Sequence, residues 1–140
     1  MLIMKTSILI LAFAFLSLNS LSQELKFDDL NAGIKPKGSF KSYVCKDGTI
    51  FKVGELIKIG APSSGDDLFS YIWVGDGLIL GDQQLGKANS NTEAKIHRIV
   101  IGGSKESGYK AILRTRAPEG RILDYVIIAE KAYQTGEIKH

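Results

Sequence analysis

A chain of 140 residues with 44% hydrophobic and 24% charged residues is sized for one compact domain and leaves no room for a second. Eighteen Lys and Arg against fifteen Asp and Glu give a formal charge of +3, which excludes the dense positive field of a dedicated nucleic-acid binder and the charge excess of a disordered tail. One cysteine and two histidines exclude a disulfide framework and a zinc site built from several converging ligands.

Residues 1–22 read as an export signal. Lys5 provides the positive start, Ile8 to Leu18 is apolar apart from Ser17, and Ser20-Leu21-Ser22 places small residues before a cut at Gln23. An apolar run of about ten residues is too short for a membrane span, which needs about 20. No cysteine follows it to carry a lipid. The expectation is therefore an exported chain, periplasmic or extracellular, cleaved near Ser22 and with no stable membrane span afterwards. Cleavage would remove one lysine and no acid, leaving +2 over 118 residues, a length that buries roughly two-thirds of its unfolded surface without disulfides.

Residues 23–38 read as an N-terminal extension: a short helical turn over Gln23 to Leu30, then a breaker-rich linker from Asn31 to Gly38. A single β domain is expected over 39–140. Its short β-branched and aromatic runs fall near 40–46, 50–53, 55–60, 68–75, 77–81, 94–101, 108–116 and 121–127, separated by Gly, Asn, Asp and Pro clusters. Asp47-Gly48 and Asp76-Gly77 supply residues that tolerate positive φ, so both are predicted hairpin turns. Ala117 to Gly120 and Gly102 to Gly108 are predicted connections of the same kind. Ala129 to Thr135, followed by Gly136, reads as a short C-terminal helix with a glycine cap. The predicted fold class is mainly β, a small antiparallel barrel or curled sheet, monomeric, with that helix at its end.

Alternation within the strands separates faces. In 108–116, Tyr109, Ala111, Leu113 and Thr115 share one side, while Lys110, Ile112, Arg114 and Arg116 share the other, which is expected to face water. Lys95 would extend that basic stripe if 94–101 pairs antiparallel with 108–116. In 68–74, Phe69, Tyr71 and Trp73 alternate with apolar neighbours, so the strand reads as covered on both faces, its aromatics either core or a platform for a sugar ring, peptide or apolar ligand. Cys45, beside Tyr43 and Val44, is read as a buried thiol.

Sites for chemistry are sparse. Gly75-Asp76-Gly77 has its next glycine at Gly81, out of step with a dinucleotide loop, so no nucleotide cofactor is implied. The acidic runs Ser63 to Asp67 and Asp76 to Asp82 lack the ligand order of an EF-hand and read as solvated turns. No Gly-x-Ser-x-Gly elbow occurs. His97 is expected to be a partly buried histidine with a satisfied hydrogen bond, on the side of Ile99 and Ile101. These absences favour a non-catalytic binding or interaction module, with Tyr71, Trp73, Arg114 and Arg116 as candidate contacts and no catalytic residue, metal or cofactor. One alternative is a small secreted hydrolase using His97 with Ser104 or a nearby acid. Another is an inhibitor-like protein that presents the polar connection 82–93, which carries Gln83, Gln84, Lys87, Asn89, Asn91 and Thr92.

The stretch Lys46-Asp47-Gly48-Thr49-Ile50-Phe51-Lys52-Val53-Gly54-Glu55-Leu56-Ile57-Lys58-Ile59-Gly60 is similar to the opening hairpin of bacterial SH3-like small barrels, and the chain as a whole resembles small exported bacterial proteins of uncharacterised families that carry this step. The resemblance implies an envelope or secreted setting and partners such as cell-wall material, a peptide or an envelope protein; no nucleic-acid partner is expected from the charge balance. The connection 82–93 and the C-terminal helix depart from those barrels, and no site residue is carried over.

Overall fold

A computed structural model describes residues 23–75, 83–116 and 124–140. The predicted signal segment, the strand at 77–81 and the turns at Asp76-Gly77 and Ala117 to Gly120 lie outside the described residues. Among those described, the chain is mainly β, with strands β1 (Gln23–Lys26), β2 (Phe40–Val44), β3 (Ile50–Lys52), β4 (Leu56–Ile59), β5 (Leu68–Gly75), β6 (Gln83–Gly86), β7 (Glu93–Ser104), β8 (Gly108–Arg116), β9 (Asp124–Ile128) and β10 (Ile138–Lys139). Two short helices, α1 (Phe27–Asn31) and α2 (Ala129–Gln134), accompany them. The sheet runs β1-β2-β7-β8-β9-β5-β6, with β3 on β2 and with β4 between β7 and β10. It curls without closing, so the curled sheet holds and the barrel does not.

Local chemistry accounts for the best-defined elements. β7 and β8 pair antiparallel from Lys95↔Arg116 to Ser104↔Gly108. At the β2–β3 hairpin, Gly48 takes φ +91, a conformation that a side chain would strain, and the Asp47 carboxylate accepts the Thr49 N–H at 2.9 Å. Helix α2 ends as expected, with Gly136 at φ +78. The main core gathers Tyr43, Phe51, Ile57, Ile59, Phe69, Ile72, Ile96, Leu113 and Ile127, all at most 1% exposed; burying each such side chain stabilises the fold by roughly 1.5–3 kcal/mol.

The fold begins earlier than Ser39. Gln23–Lys26 forms a strand parallel to β2, with Leu25 opposite Tyr43, and Leu25 is completely buried. The helical turn expected over Gln23 to Leu30 is thus confined to Phe27–Asn31, and the strand before it adds a parallel pair to the sheet expected to be antiparallel. Only four residues with one inward leucine signal that strand, too few for alternation to stand out. The connection 82–93 is also different from its reading: 83–86 adds a strand to the sheet edge, Lys87–Asn89 makes a 3-10 turn, and Leu85 is buried. Asn89 and Thr92 close that turn on themselves, Thr92 Oγ1 donating to the Asn89 carbonyl at 2.6 Å. Residues 83–86 and Glu93 of the segment read as projecting into a partner are thus built into the sheet.

Near the C-terminus the chain is fastened to two other parts of the sheet. Ile138 pairs with Ile59, and the buried Glu137 side chain accepts from Ser63 Oγ at 2.7 Å, Ser70 N at 2.8 Å and Tyr71 N at 2.9 Å. Here the ladder between β5 and β6 shifts register between Leu68 and Trp73, and Gln84 Nε2 donates to the Phe69 carbonyl at 3.0 Å. Side chains thus satisfy backbone groups that a regular sheet would pair with a neighbouring strand. Buried positions on β5 fall at Phe69, Ile72 and Gly75, so Phe69, Tyr71 and Trp73 do not form one aromatic stripe.

Candidate functional site: a basic sheet face and groove

The site is organised by a bulge in β7. Ile96 pairs with Thr115 and Arg98 with Arg114, leaving His97 as the extra residue. A bulge of this kind resets the alternation, so Ile96 and Ile99 both point into the core, 0% and 3% exposed. His97 is consequently not on the side of Ile99. Its Nδ1 faces the Arg114 carbonyl at 3.0 Å and its Nε2 lies 3.4 Å from Asp124 Oδ2. A carbonyl accepts only, so Nδ1 is the donor in that contact.

Cross-strand register then places cations together on the face opposite the main core. Arg98 stands opposite Arg114, and Lys95 opposite Arg116. Val126 follows Arg114, and Asp124 follows Arg116, on β9; Trp73 on β5 is opposite Val126. The basic stripe expected from 108–116 is therefore present and is widened by Arg98. It is not wholly facing water, since Ile112 and Val126 on this side are each 2% exposed. They form a second, smaller apolar layer beneath the charges.

Beside this face, β2 and β7 touch through a single pair, Phe40↔Ile99, and separate on either side of it. Gly54 N donates to the Ile96 carbonyl at 2.7 Å and Val53 N to the Lys41 carbonyl at 2.9 Å, so the Val53-Gly54 turn wedges between the two strands. The resulting groove has a volume of about 600 Å³ and is lined by Lys35, Lys37, Lys41 and Arg98 around apolar Phe40, Val53, Ile99 and Ile101, with His97 at its edge. No carboxylate is among the described residues that line it. The size and the mix of apolar floor and converging polar groups suit a ligand site.

Of the four residues singled out from sequence, three share this face. Trp73 is half-buried and lies outside the main core cluster, whereas Tyr71 packs against that cluster and belongs to the core. Arg114 is half-buried and Arg116 exposed. Sequence reasoning missed Lys35, Lys37, Lys41 and Arg98. The three lysines sit in and beside a segment that reads as linker, and Arg98 is brought to Arg114 only by the bulge. Of the hydrolase alternatives, His97 and Ser104 are not brought together: they lie seven positions apart along one strand, roughly 20 Å, and Ser104 Oγ is hydrogen-bonded to Ser107 Oγ at 2.9 Å; the nearby acid is Asp124, 3.4 Å from His97 Nε2.

A second cluster surrounds the thiol. Tyr43 Oη donates to Glu130 Oε2 at 2.7 Å and Lys46 N to Glu130 Oε1 at 3.1 Å. Cys45 is buried as expected; burial pushes its thiol well above the usual cysteine range, and the nearby Glu130 charge adds to the rise. The thiolate is the reactive form, so raising the pH through the ordinary cysteine value of 9.0 generates little of it in the folded protein. Native Cys45 should therefore resist iodoacetamide at pH 9 and label rapidly in denaturant; fast native labelling, followed by intact mass, would contradict this account.

No family model, curated protein or solved structure matches the chain.

Proposed function

We propose that the chain is a non-catalytic binding module that works after export, at the cell envelope, and takes an anionic ligand on the basic sheet face and its groove. The observation that carries this reading is the groove between β2 and β7, where Lys35, Lys37, Lys41 and Arg98 converge around an apolar floor and no carboxylate is among the described lining residues. Converging cations with no acid beside them favour a negatively charged ligand. Phosphate-rich nucleic acid is disfavoured by the modest net charge, and the groove's apolar floor suits a ligand with a carbon framework.

Two measurements test the reading. Poly-L-glutamate and sodium polygalacturonate serve as probes at low salt, where binding should raise the unfolding temperature by mass action and weaken as salt is added. Arg98→Gln should bind roughly tenfold more weakly while melting within about 2 °C of the parent, because Arg98 is exposed and its loss removes little packing. If neither probe changes the melting temperature or gives binding heat, the reading is wrong. Its export half is checked by intact mass of the secreted protein, expected to begin at Gln23.

A further inference from the structure

Resting on that reading, we infer that the anionic partner is the surface of a bilayer carrying acidic phospholipid, met by the groove rim at 35–41 together with Arg98 and entered at its edge by the side chain of Ile34. The rim is one continuous run: residues 35–41 all line the groove, and Arg98 joins them from β7. Lys35, Lys37, Lys41 and Arg98 are all exposed. None of Glu24, Asp28 and Asp29, the acids that precede the run in the chain, is a lining residue.

Ile34 stands immediately before that run. Its side chain is 53% exposed, while its N–H is tied to the Asp29 carbonyl at 2.9 Å, so the backbone is held and the hydrocarbon is presented to solvent. One exposed isoleucine is ordinary on its own; its place at the head of a basic run is what distinguishes it. A soluble polyanion neutralises the lysines but offers nothing to cover Ile34. A bilayer surface supplies both, phosphates for the cations and an acyl boundary just beneath them for the apolar side chain.

The rim is also stiff. Pro36 fixes φ between two of its lysines, and Lys35 Nζ sits 5.9 Å from the centre of the Tyr109 ring. Gly38 takes φ +115 and lies so close to β1 that a Cβ there would come within 2.8 Å of Gln23 Oε1. Cations held in place lose little freedom on docking. The Gln23 contact further fixes where the upstream chain joins, since Gln23 pairs with Phe40 of the groove floor. On the reading that residues 1–22 direct export, the apolar run Ile8 to Leu18 ends five positions before Gln23, at most about 18 Å of extended chain. Until the cut, the membrane that holds that run is on the same side of the domain as the basic rim.

The experiment sediments the purified secreted protein with sucrose-loaded vesicles of phosphatidylcholine, alone or mixed with phosphatidylglycerol, and measures its binding heat with poly-L-glutamate. The protein should pellet with the mixed vesicles and not the neutral ones, and be released as salt is raised. Each cation near such a surface strengthens association roughly fivefold, so Lys37→Gln should weaken binding to vesicles and to poly-L-glutamate by about that factor. Ile34→Ser should weaken vesicle binding roughly fivefold and leave poly-L-glutamate binding unchanged. Ile34→Trp should hold vesicles at least as tightly as the parent, with circular dichroism confirming that all three variants fold. Failure to pellet with mixed vesicles, equal binding to neutral ones, or an Ile34→Ser effect that is nil or the same on both probes overturns the bilayer assignment, while binding to poly-L-glutamate leaves the anion-binding groove standing. Absence of binding to vesicles and polymer alike overturns the underlying reading as well.

Discussion

Glu137→Ala is expected to lower the unfolding midpoint by roughly 10 °C, corresponding to about 3 kcal/mol for a domain of this size. The carboxylate is completely buried and serves as acceptor for four donors: Ser63 N at 3.2 Å and Ser63 Oγ at 2.7 Å, Ser70 N at 2.8 Å, and Tyr71 N at 2.9 Å. Ser63 is exposed and can turn to water, but Ser70 and Tyr71 are half-buried and would leave backbone N–H groups poorly satisfied, at about 1–3 kcal/mol each. Loss of the side chain also frees the irregular part of β5, from which Phe69 and Ile72 enter the core. Glu137→Gln keeps the shape but turns an NH2 toward donors, so its midpoint should fall between those of the parent and the alanine variant. A thermal scan that places Glu137→Ala within 2 °C of the parent would contradict the structural role given to this side chain.

Gly60→Ala should be comparably damaging, at about 3 kcal/mol. Gly60 is buried, its N–H donates to the Glu137 carbonyl at 2.7 Å, and a Cβ there would fall on the Gly136 carbonyl oxygen. The obstruction is backbone rather than the end of a flexible side chain, and Gly136 is itself fixed at φ +78. Relief requires moving β10 away from β4, which separates Ile138 from Ile59, both in the core. Because Gly60 and Glu137 secure the same junction, their effects should not add: the double variant should be less destabilised than the sum of the singles by about 1 kcal/mol. Strict additivity in denaturant unfolding would show that the two act separately.

These two residues mark the boundary of what the sequence makes legible. Strands 68–75 and 108–116 are readable to the residue because they are long, β-branched or aromatic, and bounded by breakers, and helix α2 is readable from Gly136. β1 and β10 are not, since runs of four and two residues carry no periodicity and exist through their partners. Glu137 looks like a tail acid in Gly136-Glu137-Ile138, because its donors are mostly main-chain groups some seventy positions away, which no pattern of side chains announces. The basic face was half legible. Alternation exposes Arg114 and Arg116 at once, and antiparallel pairing brings in Lys95. Arg98 is hidden, because strict alternation through His97 puts it on the wrong side, and Lys35, Lys37 and Lys41 acquire meaning only where β2 and β7 part.

The extra residue at His97 makes this part of the chain tolerant of one particular loss and intolerant of others. Deleting His97 would make Ile96↔Thr115 and Arg98↔Arg114 consecutive pairs of a regular ladder, so Arg98 and Ile99 would keep their sides. Deleting one residue from the regular stretch between Ile99 and Ser104 would instead slip the pairs that follow and turn each of those side chains to the opposite face.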